Sequence, residues 1–252
     1  MKYNRLEAMS AYIREKKIIT NEELLEQFNI SIQTLRRDLA ILEQRGLINK
    51  VYGGVAYAEK PVPKNSISPL SERKITMPNE KQKIGRLAAA QVRDGDVIFV
   101  DSGTTACNMI PYLSDTKNVT VISHCLDVIN LLSEVPNVTG ICLGGTLVSE
   151  SRTFLSDTTF YPYNYNKAFI STVGISATRG FTNTNLQEGS MKSHVIKHAK
   201  EVYIVADSSK FDVIAFNHFA DYQEVDHLIT DRKPEEKYLR LLDNHRIDII
   251  CE

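Results

Sequence analysis

The sequence predicts an α/β protein in two parts, an N-terminal winged helix-turn-helix followed by a larger α/β domain. Within the first 60 residues, three segments with helical apolar spacing precede two strand-like segments that flank a Gly-Gly turn. Beyond residue 70, short apolar strands alternate with helices, which is typical of a largely parallel sheet covered on both faces. A proline-rich segment separates the two patterns.

The composition is that of a soluble globular protein. Of the 252 residues, 42% are hydrophobic and 24% are charged, and no uncharged apolar run reaches the roughly 18 residues that span a bilayer. The charged N-terminal segment lacks the apolar core of a secretory signal. The four cysteines are widely separated and form no CxxC pattern, so we expect no metal, no cofactor, no disulfide framework and a cytoplasmic location.

Apolar spacing and a capping box predict the first two helices. The first helix covers roughly residues 2–15. The second begins after Thr20, because the Thr20 hydroxyl and the Glu23 side chain can each cap the other residue's backbone amide. Asn29 closes this helix, since asparagine tolerates the left-handed conformation at a helix end.

A third helix and a hairpin complete the first domain. Ser31 is the predicted N-cap, and the helix ends near Gly46, where glycine supplies the left-handed residue. The predicted strands are residues 47–51 and 55–57, around the turn Tyr52-Gly53-Gly54.

Residues 58–70 contain three prolines and no periodicity, so they predict a semi-extended linker. The linker separates a domain of residues 1–57 from a domain of residues 71–252. In the second domain, helices are predicted at 79–93, 105–113, 126–133 and 188–199, strands at 96–100, 119–123, 138–143, 167–171, 202–206 and 225–230, and a last helix and strand within 234–250.

The third helix carries residues suited to double-stranded DNA. In a helix-turn-helix, the second helix of the motif enters the major groove, where glutamine can bond adenine and arginine can bond guanine or phosphate. A solvated basic face on an ordinary three-helix module, or a protein-binding helix, is the alternative. The candidate DNA-binding residues are Ser31, Gln33, Thr34, Arg36 and Arg37 in the helix, with Lys50, Tyr52 and Gly53 in the wing.

These residues resemble the DeoR family of bacterial regulators over nearly all of residues 5–57. The resemblance rests on Ser31, on the run from Thr34 to Leu39 (Thr-Leu-Arg-Arg-Asp-Leu), and on the Gly53-Gly54 wing. Asp38 is expected to pair with an arginine or to cap local backbone, because its charge would repel DNA phosphate. Tyr52 stands where the family commonly has histidine, which leaves the wing contact open.

A candidate anion site follows the first strand of the second domain. Ligands of open α/β sheets gather at the carboxyl ends of the strands, and Asp101-Ser102-Gly103-Thr104-Thr105 occupies such an end. A Gly-Thr-Thr turn before a helix offers exposed amides and two hydroxyls, the ingredients of an anion cradle. The alternative is a tight strand-to-helix turn. Absence of a GxxxxGK[ST] motif argues against a nucleoside triphosphate.

Further polar residues follow other strands and complete the candidate effector site. Glu188 and Lys192 share a helix face, and taken alone they are best interpreted as a surface pair. For His124, we favour a structural hydrogen-bonding role over ligand binding. If these polar residues meet around one cleft, the lysines neutralise the charge of a phosphate and Asp101 binds sugar hydroxyls. The additional candidates are Ser123, His124, Gly144, Gly145, Glu188, Lys192 and Lys210.

The resemblance to the DeoR family extends over about residues 72–231. It implies a fold related to ribose-5-phosphate isomerase, a small phosphorylated sugar as effector, and a homodimer or homotetramer. The sequence departs from the family pattern at Ser123-His124, at Ser156 and at Ser171, all expected near the pocket. An altered pocket or an unusual effector would follow.

Together these observations predict a DNA-binding transcriptional regulator, a repressor of a carbohydrate-utilisation operon that a phosphorylated sugar releases or modulates. The alternative is a sugar-phosphate isomerase with an appended helical domain. No residue spacing commits any side chain to catalysis, so we expect no enzymatic activity.

Overall fold

The computed structural model describes residues 2–44, 47–51, 53–58, 69–156 and 163–252. Its N-terminal part is a winged helix, as predicted. A three-stranded antiparallel sheet in the order β1-β3-β2 packs with the three helices. The elements are α1 (Lys2–Lys16), β1 (Ile18–Thr20), α2 (Asn21–Phe28), α3 (Ile32–Gln44), β2 (Ile48–Val51) and β3 (Gly54–Tyr57).

Local capping explains where the helices of this part begin and end. The Thr20–Glu23 capping box is present at the start of α2, and Asn29 closes α2 in the left-handed conformation. Strand β1 was not predicted, because its three residues depend on pairing with β3 across about 36 residues of chain. The predicted end of α3 near Gly46 lies outside the described residues.

The C-terminal part contains a seven-stranded parallel sheet in the order β15-β14-β12-β9-β4-β5-β6. Its helices are α4 (Leu70–Ile75), α5 (Pro78–Ala89), α6 (Leu126–Leu132), α7 (Leu186–Lys197) and α8 (Glu236–Asn244). Its strands are β4 (Val97–Val100), β5 (Val119–Ser123), β6 (Val138–Cys142), β7 (Thr146–Val148), β8 (Thr153–Leu155), β9 (Tyr165–Ser171), β10 (Gly174–Ser176), β11 (Gly180–Asn183), β12 (Ala199–Val205), β13 (Asn217–Ala220), β14 (His227–Ile229) and β15 (Asp248–Ile250).

The structure corrects several sequence-based expectations in this part. Strands β7 and β8 form a hairpin, and β10, β11 and β13 form a second antiparallel sheet, neither of which was predicted. The segment Ala106–Leu113 is a 3₁₀ helix with Pro111 inside it, because proline cannot supply the amide of an α-helical turn. Helix α4 starts at Leu70, where we expected the linker to continue; residues 59–68 of that linker lie outside the described residues.

The large parallel sheet positions the candidate site. Apolar side chains cover both faces, with Ile170 and Phe181 in one core and Ile98 and Val121 in the other. Because the strands run parallel, the segments after β4, β5, β9 and β12 all emerge at one edge of the sheet. Among the described residues, no helix is long and apolar enough to cross a membrane.

A candidate DNA interface and a candidate ligand cavity

Helix α3 presents a polar face that is anchored by an N-terminal cap. The Ser31 hydroxyl accepts a hydrogen bond from the Thr34 amide at 3.2 Å, which satisfies one amide of the first turn. Gln33, Arg36 and Arg37 are exposed. Leu35, Leu39 and Leu42 of the helix are buried in the core of the winged helix instead. The exposed side chains therefore stand on one face, with the residue types that major-groove contacts require.

Asp38 lies on the opposite side of α3 from this face and holds the helices together. Its carboxylate is buried and accepts a hydrogen bond from the Arg5 side chain, with 2.7 Å between Nε and Oδ2. The expectation that Asp38 pairs with an arginine is confirmed. Arg5 belongs to α1 and Asp38 to α3, so the pair joins the two helices. Removing one partner would leave the charge of the other uncompensated.

The predicted wing is the turn between β2 and β3. Gly53 adopts a φ of +76°, a conformation that side-chain-bearing residues rarely take. Lys50 is exposed and forms an ion pair with Glu43 of α3. Tyr52 lies outside the described residues.

At the carboxyl edge of the large sheet lies a cavity of about 480 Å³. The loop after β4 forms part of its wall, through Ser102, Gly103, Thr104 and Thr105. Glycine is required at 103, because a Cβ there would approach the Ser171 hydroxyl oxygen to 2.5 Å. The Gly-Thr-Thr loop is thereby pressed against the end of β9.

The amides of this loop are available to a ligand. In the part of the chain that the structure describes, the backbone amides of residues 102–105 and the hydroxyls of Thr104 and Thr105 donate no hydrogen bond to another residue. Backbone amides that precede a helix and point into a cavity are the usual cradle for an anionic oxygen.

Cationic side chains dominate the charged lining. The pKa of Lys81 is lowered to about 8, first by burial and then by the nearby cations Lys210 and Arg73, against the opposing effect of Asp207. The Lys81 ammonium donates to the carbonyl of Arg73. The charged lining residues described are Arg73, Lys74, Lys81, Lys192 and Lys210, against Asp127 and Glu188.

Asp101 lies behind the cavity wall and is absent from the described lining. One carboxylate oxygen accepts hydrogen bonds from the Ser171 amide at 2.9 Å, from the Ser171 hydroxyl at 2.5 Å and from Lys192 at 2.7 Å. Burial opposes ionisation of Asp101, but Lys192, His124 and these hydrogen bonds together hold its pKa below the usual range. The carboxylate thus positions the lining residues Lys192 and Ser171.

Glu188 and Lys192 are not the surface pair that their spacing suggested. Both side chains are buried, because α7 packs against β9, β11, β12 and β13. Glu188 accepts a hydrogen bond from the Asn183 side chain at 3.1 Å, whereas Lys192 binds Asp101 and the Ser171 carbonyl. Both residues also line the cavity, so the helix contributes one acidic and one basic side chain to the cavity wall.

Four other candidate residues lie outside the described lining: Ser123, His124, Gly144 and Gly145. The Ser123 hydroxyl donates to the Val100 carbonyl at 2.6 Å and so ties β5 to β4. His124 is buried and stacks on Phe99 with 5.8 Å between ring centroids. Gly145 has a φ of +137° at the start of the β7–β8 hairpin.

The His124 ring forms no hydrogen bond with another described residue. Its Nε2 lies 3.9 Å from Oδ1 of Asp101, an oxygen that likewise has no described hydrogen-bond partner. Burial lowers the pKa of His124, although Asp101 and Glu188 act in the opposite direction. His124 is therefore neutral in the folded protein at pH 7.

The sequence-based site list omitted residues that α4, α5 and α6 bring to the cavity. Lys74 of α4 pairs with Asp127 of α6 at 3.0 Å, and Arg152 binds the same carboxylate at 2.8 Å. The family resemblance over about residues 72–231 covers Arg73-Lys74 and Glu80-Lys81, but it assigned these residues no role. Among the described residues, no group of three or more His, Cys, Asp or Glu side chains is placed to hold a metal.

Both parts of the chain match models of one protein family. Residues 5–61 match the DeoR-like helix-turn-helix domain, and residues 76–232 match the DeoR C-terminal sensor domain. The chain therefore belongs to the DeoR family and is a DNA-binding transcriptional regulator.

Individual relatives agree over almost the whole chain. The chain is 35% identical over 252 residues to the HTH-type transcriptional regulator IolR of Bacillus subtilis, covering 99% of both chains. It is 33% identical over 249 residues to the repressor GlcR of the same organism, covering 98% of this chain and 95% of that one. With the glycerol-3-phosphate regulon repressor of Escherichia coli, it shares 28% identity over 241 residues and 94% of each chain.

Solved structures resemble the chain only distantly. Ribose 5-phosphate isomerase A from Methanocaldococcus jannaschii gives a TM-score of 0.40 at 20% identity, covering 53% of this chain and 54% of that one. The beta subunit of eIF2B from Chaetomium thermophilum gives 0.45 at 14% identity, covering 67% of this chain and 54% of that one. We assign no activity from these likenesses.

Proposed function

We propose that the protein represses a carbohydrate-utilisation operon and that a small phosphorylated sugar, bound in the cavity, releases it from operator DNA. The observation that carries this proposal is the juxtaposition of the 102–105 loop with the lysines of the cavity. Loop amides and ammonium groups bind a phosphoryl group by charge-assisted hydrogen bonds.

The lining also offers partners for the hydroxyls of a sugar. Four further lining residues are Asn183 at the end of β11, Glu188 of α7, Asn108 of the 3₁₀ helix and Asp127 of α6. A ligand with one phosphoryl group and several hydroxyls can satisfy both the cationic and the neutral polar groups. A cavity of about 480 Å³ falls within the range of pockets that enclose small molecules.

The exposed face of α3 is the proposed DNA-binding surface. Gln33, Thr34, Arg36 and Arg37 contact base edges and phosphates, Ser31 orients the first turn, and Lys50 with the Gly53 turn reaches the backbone. Two such helices read the half-sites of one operator when the protein forms a homodimer or homotetramer. We assign the DNA-binding domain to residues 1–57, the linker to 58–70 and the sensor domain to 71–252.

Helix α4 supplies a physical connection between the cavity and the DNA-binding domain. It begins at Leu70, the last residue of the proposed linker, and its residues Arg73 and Lys74 line the cavity. A ligand that competes with Asp127 for Lys74 changes the position of α4 and hence of the chain leading to the winged helix. An effector acts only through different affinities for the DNA-bound and the free states, and α4 is where this difference arises.

The proposal is tested by fluorescence anisotropy with DNA from the region upstream of the protein's own gene. We expect tight binding that one sugar phosphate reverses, whereas the same sugar without phosphate leaves it unchanged. Lys210→Ala should retain DNA binding and lose the response, because the side chain lines the cavity and lies far from α3 in sequence. DNA binding that no sugar phosphate alters would refute the effector assignment.

The isomerase alternative is tested in the same preparations. An isomerase would interconvert pentose phosphates, and its turnover would depend on Glu188, a carboxylate in the cavity wall. We expect no turnover from the wild-type protein. Measurable isomerisation that Glu188→Gln abolishes would replace the sensor function by catalysis.

A further inference from the structure

Two cysteines that are distant in sequence meet in the wall of the cavity. Cys107 lies in the 3₁₀ helix after the 102–105 loop, and Cys125 lies between β5 and α6. Their sulfur atoms are 3.8 Å apart, and both residues line the cavity. The other cysteines, Cys142 at the end of β6 and Cys251 near the C-terminus, do not belong to the described lining.

The two thiols have different environments. The hydrogen bond from Cys107 lowers the pKa of Cys125, and the amides of Val128 and Asp127 add to this effect against the opposing effect of burial. The pKa of Cys107 is raised, by its hydrogen bond to Cys125 and by burial. Cys125 is therefore the better nucleophile of the pair, since the thiolate is the reactive form.

We propose that Cys107 and Cys125 are a reversible oxidation site, which a hydroperoxide converts to an intramolecular disulfide that reshapes the cavity. The cavity gives a small oxidant access to Cys125, although the residue is only 3% exposed. The disulfide does not depend on the proposed effector. Its effect on ligand binding rests on the proposed function.

The reaction is balanced with hydrogen peroxide as oxidant. The Cys125 thiolate attacks one peroxide oxygen, so that an S–O bond forms, the O–O bond breaks and hydroxide leaves. The Cys107 sulfur then attacks the sulfenic sulfur of Cys125, forming the S–S bond and breaking the S–O bond, and the departing hydroxide takes the Cys107 proton as water. Two thiols and one peroxide yield one disulfide and two waters.

Closing the disulfide must move the two sulfur atoms in the cavity wall. A sulfur–sulfur bond is about 2.05 Å long, so the 3.8 Å separation has to fall by nearly half. The Cys107 amide bonds the Gly103 carbonyl at 3.0 Å, which couples this thiol to the anion-binding loop. Cys125 stands two residues before Asp127, the partner of Lys74 in α4. The disulfide therefore cross-links the anion-binding loop to the segment that holds Lys74 of α4.

The first experiment identifies the disulfide itself. Reduced full-length protein is treated with one equivalent of hydrogen peroxide, digested without reduction and examined by mass spectrometry. We expect a peptide pair joined through Cys107 and Cys125 that dithiothreitol separates. Cys107→Ser and Cys125→Ser should each lack it, whereas Cys142→Ser and Cys251→Ser should retain it. Oxidation that links Cys142 or Cys251 instead, or no linkage in folded wild-type protein, would overturn the proposal.

The second experiment measures the effect on the cavity, with inorganic phosphate as the ligand. Isothermal titration calorimetry of wild-type protein should show a loss of phosphate affinity after oxidation and its recovery with dithiothreitol. Cys125→Ser, which lacks the attacking thiolate, should bind phosphate equally before and after peroxide. Equal affinity in both wild-type forms would overturn the effect on the cavity. Phosphate binding to neither form would also refute the proposed effector site, while a detected disulfide would stand.

Discussion

Replacing Lys192 with methionine removes the cation that faces the buried carboxylate of Asp101. The Lys192 side chain is 2% exposed and Asp101 is fully buried, with 2.7 Å between Nζ and Oδ2. Methionine keeps most of the volume and apolar contact of the lysine stem but cannot compensate the charge. The variant therefore removes the charge together with its hydrogen bonds to Asp101 and to the Ser171 carbonyl, and leaves the packing largely in place.

The expected cost follows from the partners that remain. Breaking a buried ion pair by deleting one member costs about 3–5 kcal/mol, because a buried charge is left uncompensated. Asp101 keeps the two hydrogen bonds from Ser171, so we expect the lower end, about 3 kcal/mol. The double variant Asp101→Asn with Lys192→Met also removes the carboxylate charge that the single variant leaves uncompensated. The double variant should be less destabilised than the sum of the single ones by about 2 kcal/mol.

Urea unfolding followed by circular dichroism measures these free energies. Lys197→Met is the matched control, since Lys197 lies on the same helix but is exposed. It should change the free energy of unfolding by less than about 0.5 kcal/mol. Strict additivity of the Asp101 and Lys192 substitutions, or a cost for Lys192→Met no larger than that of the control, would show that the pair does not stabilise the sensor domain.

Three further predictions concern pH and DNA. Affinity for the releasing sugar phosphate should fall about tenfold from pH 7 to pH 9, because Lys81 loses its proton as the pH rises through about 8; ligand titration of wild type and Lys81→Met measures this. Folding should weaken as the pH falls below about 6.5 in wild type relative to His124→Asn, because the lowered pKa of His124 keeps its ring neutral in the folded state while the unfolded chain takes up a proton; urea unfolding at several pH values measures this. Replacing Arg36 or Arg37 with alanine should cost about 1–3 kcal/mol of operator affinity for a base contact, or make the salt dependence shallower for a phosphate contact, as anisotropy titrations at several salt concentrations will show.

Each of these predictions has a contrary result. Equal pH profiles for wild type and Lys81→Met would exclude Lys81 from the ligand site. Equal pH dependence of unfolding with and without His124 would mean that its ring is not held neutral. Unchanged operator affinity and salt dependence after both arginine substitutions would remove α3 as the DNA-binding helix, and the protein-binding alternative would take its place.

Much of the fold was predictable because neighbouring residues determine it. The capping box at Thr20, the left-handed Asn29 and the Ser31 cap are contacts within four residues, and all three are present as predicted. The antiparallel strands were missed for the opposite reason. Strand β11, for example, pairs with β13 about 35 residues away, so the residues next to β11 do not indicate that it is a strand.

The candidate site divides in the same way. The 102–105 loop could be proposed from its composition and from its place after an apolar strand, and the structure puts it in a cavity wall. The burial of Lys192 against Asp101, 91 residues apart in sequence, could not be proposed. Spacing on α7 suggested a pair between Glu188 and Lys192, but the packing of that helix gives each side chain a different partner.

The sequence by itself determined that this protein is a winged helix joined to an α/β sensor domain, and it located the helix that we propose binds DNA. Those features depend on local periodicity, caps and motif residues. Only the tertiary structure decided that Asp101 supports the cavity wall from behind, that α4 reaches the cavity, and that Cys107 meets Cys125. The physical reason is that these side chains become buried and paired only when distant strands align at one edge of the sheet. No short stretch of chain encodes that alignment.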